Sequence, residues 1–465
     1  MRKLNAADLF CGAGGTSQGA EQSGAAKVRF ALNHWQTAVD THSANFPDAK
    51  HVNSRLDAVS PSEAERIDLL FASPECTHHS RARGGRPTSD QQRSGAWQVL
   101  PWIEHHRPSF VVIENVVEFR DWGPVGTHGR PLETKKGHTF AAWLTAIESM
   151  GYRCEVVELN AADFGAATSR NRLFVIARKG NRSPAIPEPT HARNAGGELP
   201  GMGLQRWRPA ADVIDWTIPC PSVFFRKRPL ADKTLLRIEA GLRRFVGPFV
   251  AQWDNQSGGG SYTRSIDAPF GTIVTKANAG LVTPFQVVLR NNMDAAAIDA
   301  PVPTITAGGG HSAVAVPFLA EVNHGGDARL CGIHSTLGTI TAKNGRGIAL
   351  PWISHYYGTN NMSSIGEPLD TITTKGRHSL CLASIGTFND ARPSDSQAMR
   401  KLRDTMRELG VCDIGFRMFQ NHELAAAQGF PTTYQFRGTK ADVTRQIGNS
   451  VSPDVAEAIT LELAS

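Results

Sequence analysis

The chain has 465 residues, 40% of them hydrophobic and 20% charged, an ordinary composition for a globular protein and enough length for two domains. It holds no run of about 18 apolar residues and no apolar leader ahead of Asp8, so neither a membrane span nor a secretory signal is expected and a cytoplasmic location follows. The net charge of +6, from 49 Lys and Arg against 43 Asp and Glu, permits a polyanionic partner without requiring one.

Seven cysteines stand singly, at Cys11, Cys76, Cys154, Cys220, Cys331, Cys381 and Cys412, with no Cys-x-x-Cys pair. That argues against a disulfide framework and against zinc. His78 and His79 are adjacent but have no further ligands at suitable spacing, so no metal is expected.

The first predicted strand, Leu4–Phe10, runs into the turn Asp8-Leu9-Phe10-Cys11-Gly12-Ala13-Gly14-Gly15, with a helix behind it. Glycine permits positive φ and close backbone approach, and amides at a helix start seat a carboxylate or phosphate. The turn is neither Gly-x-Gly-x-x-Gly nor a Gly-Lys-Ser/Thr loop, which disfavours a dinucleotide or a triphosphate. Further strands are predicted at Val28–Leu32, Ile67–Ala72, Phe110–Ile113 and Leu173–Ala177, with helical stretches between them. This alternation predicts an α/β fold with a doubly wound, mostly parallel sheet over residues 1–185, and a ligand beyond the carboxyl ends of its strands.

The chemistry-bearing residues follow a predicted strand or lie close to one. Ser73-Pro74-Glu75-Cys76 follows the third strand, and a thiolate is a strong nucleophile when a cation or helix start lowers its pKa. Arg81, Arg83, Gly84, Gly85, Arg86 and Arg93 make the next stretch a basic, glycine-containing loop. Glu114 closes the run Phe110–Ile113, where a buried carboxyl can hold a proton. Arg170 and Arg172 alternate along an extended segment, suited to a phosphate or a base edge.

Composition shifts at Asn181–Arg208, a Pro-, Gly- and Arg-rich stretch that reads as a linker. Four units follow, between about residues 248 and 383. Pro248-Phe249, Pro284-Phe285, Pro317-Phe318 and Pro351-Trp352 recur at 36, 33 and 34 residues, and Thr272-Ile273, Thr304-Ile305, Thr339-Ile340 and Thr371-Ile372 at 32, 35 and 32. Asn255, Asn291, Asn323 and Asn360 stand at turn-like places, so each unit reads as short strands joined by tight turns. A second, β-rich domain is thus expected over 186–405. Helices are predicted at 396–410 and Asp454–Leu463, and 406–465 should return to the first domain.

In this order, and with 38 residues from Cys76 to Glu114, the motifs resemble the DNA (cytosine-5) methyltransferase family. The resemblance covers residues 5–180 and 411–463, where Gln428-Gly429-Phe430-Pro431 and Gly448-Asn449-Ser450-Val451 complete the set. It implies the class I, Rossmann-like fold of S-adenosylmethionine-dependent methyltransferases, with S-adenosyl-L-methionine as methyl donor and the β-rich region as target-recognition domain. It implies donor contacts from Phe10, Cys11, Gly12, Gly14, Gly15, Asp57, Pro74, Leu100, Asn449 and Ser450, with His34 or Trp35 over the adenine. Asn33 is read at the place where the family carries an acidic ribose ligand.

The resemblance also implies a mechanism, in which a cytosine is flipped out of the duplex. Cys76 adds to its C6, Glu114 serves N3 and the exocyclic amine, Asn115 braces Glu114, and Arg170 and Arg172 hold the nucleotide. The loop Thr77–Ala96 would close over DNA, with Ser80, Arg81, Arg83 and Arg93 as contacts; Arg226, Lys227 and Arg228 would meet phosphates, and Thr272, Thr304, Thr339 and Thr371 are candidates for the recognition signature. Implied partners are double-stranded DNA, at the nucleoid, and a cognate restriction endonuclease, for a chain expected to act as a monomer. Two alternatives stay open: a tRNA cytosine-5 methyltransferase and a catalytically silent DNA-binding relative. The chain departs from the family's pattern in having Glu75-Cys76-Thr77 for Pro-Cys-Gln and Ala167-Thr168 for Pro-Gln.

Overall fold

The computed structural model describes residues 2–75, 94–126, 132–193, 195, 203–245, 395–409 and 411–465; between 249 and 385 it describes strand segments and residues 368–369. The chain divides into two compact units, one of Met1–Ile214, Gly366–Gly376 and Gln420–Ser465, the other of Asp215–Ile365 and Arg377–Phe419.

The first unit is built on a seven-stranded sheet. Its strands are β1 (Leu4–Leu9), β2 (Ala26–Asn33), β3 (Lys50–Asn53), β4 (Leu69–Ala72), β5 (Phe110–Asn115), β6 (Tyr152–Asn160) and β7 (Asn171–Lys179). They lie in the order β3-β2-β1-β4-β5-β7-β6. The first five are parallel, and β7 runs antiparallel to both β5 and β6. This is the class I S-adenosylmethionine-dependent methyltransferase arrangement, with the strand order reversing beside β1.

Side chains alternate across the sheet, and both faces are covered. Leu70, Ala72, Val111, Ile113, Leu173 and Val175 face one core. There they meet Trp102 and Ile103 of helix α3 (Leu100–His106) and Trp143 and Ile147 of helix α4 (His138–Ser149). Leu69, Phe71, Val112, Phe174 and Ile176 face the other core, closed by Val455, Ala456, Ile459 and Leu463 of the helix Pro453–Ala464. Trp143 is fully buried and its indole N–H donates to Ala96 O (3.0 Å), so truncating it would cost about 3–5 kcal/mol.

Helix α1 (Gly15–Gln22) joins the two ends of the chain. A Cβ on Gly15 would stand 2.2 Å from Val451 O, and one on Gly19 would stand 2.2 Å from Pro453 O. The glycines, four apart on one helix face, let backbone lie on backbone. Gly15→Ala is therefore expected to cost about 3 kcal/mol or more through overpacking that no rotamer relieves. The denaturant midpoint measures it, and an unchanged midpoint would show that the contact can relax.

The second unit pairs helix Asp232–Phe245 with helix Gln397–Glu408 around Leu235, Ile238, Leu242, Leu402 and Met406. Its largest sheet runs Ala328–Gly332, Phe318–Val322, Arg346–His355, His378–Ile385, Val411–Met418, all antiparallel, with Met362–Ser363 on one side. Two three-stranded sheets contain Phe249–Trp253 and Phe285–Val288. Phe249, Phe285 and Phe318 of the repeated dipeptides each open a strand, whereas Pro351-Trp352 lies inside one. Pro351 falls beyond Ala349, where pairing with Phe318 ends, so its missing N–H removes no bond from that ladder.

Several boundaries differ from the sequence expectation. Asn181–Arg208 is not a free connection: the short strands His191–Ala192 and Gln205–Arg206 pair, and Trp207 Nε1 donates to Asp163 Oδ1 at 2.8 Å. The first unit extends to Ile214, and the return begins at Gln420 rather than 406, because Val411–Met418 is a strand of the second unit. Among the described residues no helix is long and apolar enough to cross a membrane.

Candidate active site

One cleft in the first unit lies at the carboxyl ends of β1, β2, β4 and β5. It is lined by Phe10, Cys11, Gly12, Ala13, Gly15 and Thr16 from the first turn, Asn33, His34 and Trp35 from the end of β2, and Ser73, Pro74 and Glu75 after β4. Glu114, Arg170 and Arg172 form another wall, and Arg445, Gln446, Gly448, Asn449, Ser450 and Val451 a third.

The first turn is shaped by left-handed residues: Phe10 has φ 60°, Gly12 φ 53° and Gly14 φ 87°. A phenylalanine there costs about 1–2 kcal/mol, strain of the kind that collects at ligand sites. A Cβ on Gly12 would meet nothing nearer than Phe10 O at 3.9 Å, so that backbone borders open space. Gly14 differs from the sequence expectation. It caps α1, and a Cβ there would press on Tyr434, His42 and Phe46, so it holds the turn from behind and is not among the cleft's lining residues.

Beneath the turn runs a buried polar chain. Ser17 Oγ donates to Asp8 Oδ2 (2.7 Å) and meets His42 Nε2 (2.9 Å), and His42 Nδ1 meets His51 Nε2 (2.8 Å). Burial pushes Asp8 up to about 7 and His42 down to about 3, so both are neutral near pH 6. Tyr434 OH donates to Ala13 O, tying the turn to the segment after Phe430 and Pro431. Gln428 Nε2 donates to Ser450 O (2.9 Å) and Ser450 Oγ to Gln446 O (2.7 Å), which fixes the Asn449–Ser450 wall.

At the end of β2, Asn33 Oδ1 accepts the Trp35 N–H at 2.9 Å. The Arg445 guanidinium lies 4.4 Å from the Trp35 ring centroid, a cation–π contact. Arg445 lies only four residues before Asn449, yet its place in the cleft was not foreseen, because which side of a helix faces a pocket depends on packing.

Glu114 is 8% exposed. Arg172 Nε lies 3.1 Å from Glu114 Oε1, and Arg170 is 4% exposed at the same wall. Burial raises the Glu114 carboxyl above its usual range and outweighs the lowering by Arg172 and Arg170. Asn115 was expected to brace Glu114. Its Nδ2 instead donates to Pro74 O at 3.1 Å and its Oδ1 accepts Val116 N–H, so it braces the segment that leads to Cys76.

Cys76 itself, with Ser80, Arg81, Arg83 and Arg93, lies outside the described residues, as do Thr272, Thr304, Thr339 and Thr371. Cys11 lines the cleft but is a poor nucleophile, since burial and nearby Asp8 push its thiol well above the usual range. Asp57 and Leu100 are not among the lining residues. Asp57 pairs with Arg55 (2.9 Å), and Leu100 packs against the core at the start of α3. Arg226, Lys227 and Arg228 belong to the second unit, Arg226 over the Phe416 ring at 5.3 Å and the other two exposed.

An adenosine-bearing amino acid suits this lining. Phe10 and Trp35 offer aromatic faces, the start of α1 offers amides for a carboxylate, and Glu75 with Asn449 offers polar partners.

The family model for C-5 cytosine-specific DNA methylases matches residues 4–198 and 328–465. Type II methyltransferase M.AgeI of Thalassovita gelatinovora is 28% identical over 192 residues, 40% of this chain and 42% of that protein. Type II methyltransferase M1.HphI of Haemophilus parahaemolyticus is 31% identical over 192 residues, 40% of this chain and 48% of that one. DNA (cytosine-5)-methyltransferase 1 of Gallus gallus is 27% identical over 209 residues, 41% of this chain and 13% of that protein. These matches span less than half the length of each relative. A crystal structure of a Spodoptera frugiperda DNMT2 variant covers 99% of both chains at 12% identity and TM-score 0.49.

Proposed function

We propose, on the premise that this chain belongs to the C-5 cytosine-specific DNA methylase family, that it methylates C5 of a cytosine flipped out of a specific duplex DNA sequence. One observation carries the reading. Glu114, Arg170, Arg172 and the glycine turn line the same cleft as Pro74 and Glu75, the two residues before Cys76.

In this reading the Cys76 thiolate adds to C6 of the extruded ring. Glu114 holds a proton at N3 and accepts from the exocyclic amine; its buried, raised carboxyl is suited to a proton shared with a weakly basic nitrogen. Arg172 orients Glu114, Arg170 and Arg172 offer their guanidiniums to the nucleotide and its phosphate, and Asn115 anchors Pro74, two residues before Cys76 in sequence. S-adenosyl-L-methionine, when bound against Phe10, Trp35 and the start of α1, supplies the methyl group that C5 receives. Loss of the C5 proton then releases Cys76. In the second unit, Lys227 and Arg228, both exposed, would meet DNA phosphates in this reading.

The experiment is transfer of a tritiated methyl group to duplex DNA and to tRNA in parallel, with bisulfite sequencing of the DNA product. Label in cytosines of one duplex sequence is the expected result. Label in tRNA alone, or in neither, would replace this reading with the tRNA enzyme or the silent DNA-binding relative.

A further inference from the structure

The chain lacks an acidic residue where nucleoside-binding α/β folds place one. In such sheets a carboxylate near the end of the second strand takes the ribose hydroxyls. Here β2 ends in Asn33, followed by His34 and Trp35, and the Asn33 side-chain oxygen is engaged by the Trp35 N–H at 2.9 Å. An amide or an imidazole is also a weaker acceptor for a diol than a carboxylate.

Two carboxylates line the cleft among the described residues, Glu114 and Glu75. Glu114 lies at the Arg172 wall. Glu75 reaches the other side, its Oε1 3.6 Å from His34 Nε2, so a carboxylate carried by the segment after β4 stands at the end of β2. Its backbone is anchored one residue earlier by the Asn115–Pro74 hydrogen bond. Both side chains of the pair are about half exposed, 49% for His34 and 56% for Glu75, which leaves the carboxylate accessible to a ligand.

We propose that Glu75, steered by His34, is the residue that binds the ribose hydroxyls of the adenosine-bearing donor. This rests on the donor reading above. It also gives a reason for glutamate immediately before Cys76: the acid missing from the β2 end is supplied from the segment after β4, on the far side of β1.

The test compares calorimetric binding of S-adenosylhomocysteine and of its 2′-deoxyribose analogue. Charge-assisted hydrogen bonds to a hydroxyl set the scale. The unaltered protein should prefer the ribose form by about 10-fold or more. Glu75→Gln should reduce that preference to about 2-fold, by weakening the ribose form more than the 2′-deoxy form, which keeps only its 3′-hydroxyl. Adding His34→Glu to Glu75→Gln, which returns an acid to the β2 end, should restore it. Full preference in Glu75→Gln would overturn the assignment. Equal binding of both ligands by the unaltered protein would overturn the ribose contact alone, and binding of neither would remove the donor reading with it.

Discussion

Cys76→Ser should lose methyl transfer by on the order of 10⁴-fold or more, the largest effect expected of any single change. A serine hydroxyl is almost wholly protonated at neutral pH and adds poorly to a pyrimidine, whereas a thiol is readily ionised beside cations. Ser73, Pro74 and Glu75, which precede it in sequence, line the cleft, and Cys11, the cysteine lining it among the described residues, has a thiol pushed well above the usual range. The variant should also fail to form a covalent complex with duplex DNA containing 5-fluorocytosine, where the fluorine blocks release of the adduct. S-adenosylhomocysteine binding serves as the control for folding. Turnover near that of the unaltered protein would remove Cys76 from the mechanism.

Glu114→Gln should lower kcat by about 10²–10⁴-fold, the span over which a positioned proton donor contributes. The amide fits the same space and can donate a hydrogen bond, but it has no proton acidic enough to pass to N3. A pH profile separates this from a packing defect. Burial raises the Glu114 carboxyl, so it stays protonated to higher pH than a free glutamate, and activity should fall as pH rises through that pKa. In the glutamine variant this alkaline limb should vanish while the residual rate stays flat. The change also leaves Arg172 without its ion partner, and the two side chains are only 16% and 11% exposed. The glutamine oxygen still accepts from Arg172, and burial already disfavours the ionised carboxylate, so the melting temperature should change little. An unchanged kcat would take the carboxyl out of the chemistry.

How far the sequence could be read depended on burial. β4 and β5 were legible because their cores are continuous apolar runs between sheet faces covered on both sides, and β1 because it leads into the glycine turn. β3, Lys-His-Val-Asn, and β6, which carries Arg153, Glu155 and Glu158, were missed, since edge strands mix polar residues into the pattern. The direction of β7 was not readable either, because a strand inserted between β5 and β6 has the same composition whichever way it runs.

The site followed the same logic. Glu114, Arg170 and Arg172 could be found because strand ends in this fold point at the ligand. Glu75 and Arg445 could not, since one reaches across the cleft by its side chain and the other arrives on a helix packed from the far end of the chain. Asn33 showed the limit of position alone: it stands at the expected place, but its oxygen is turned to the Trp35 amide.

The backbone-to-backbone seat of Gly15 on Val451 and of Gly19 on Pro453 bears on how the protein is made. The first turn is translated well before its wall of Asn449 and Ser450. A chain that folds as it is made therefore cannot complete this cleft until residues 445–451 have been added.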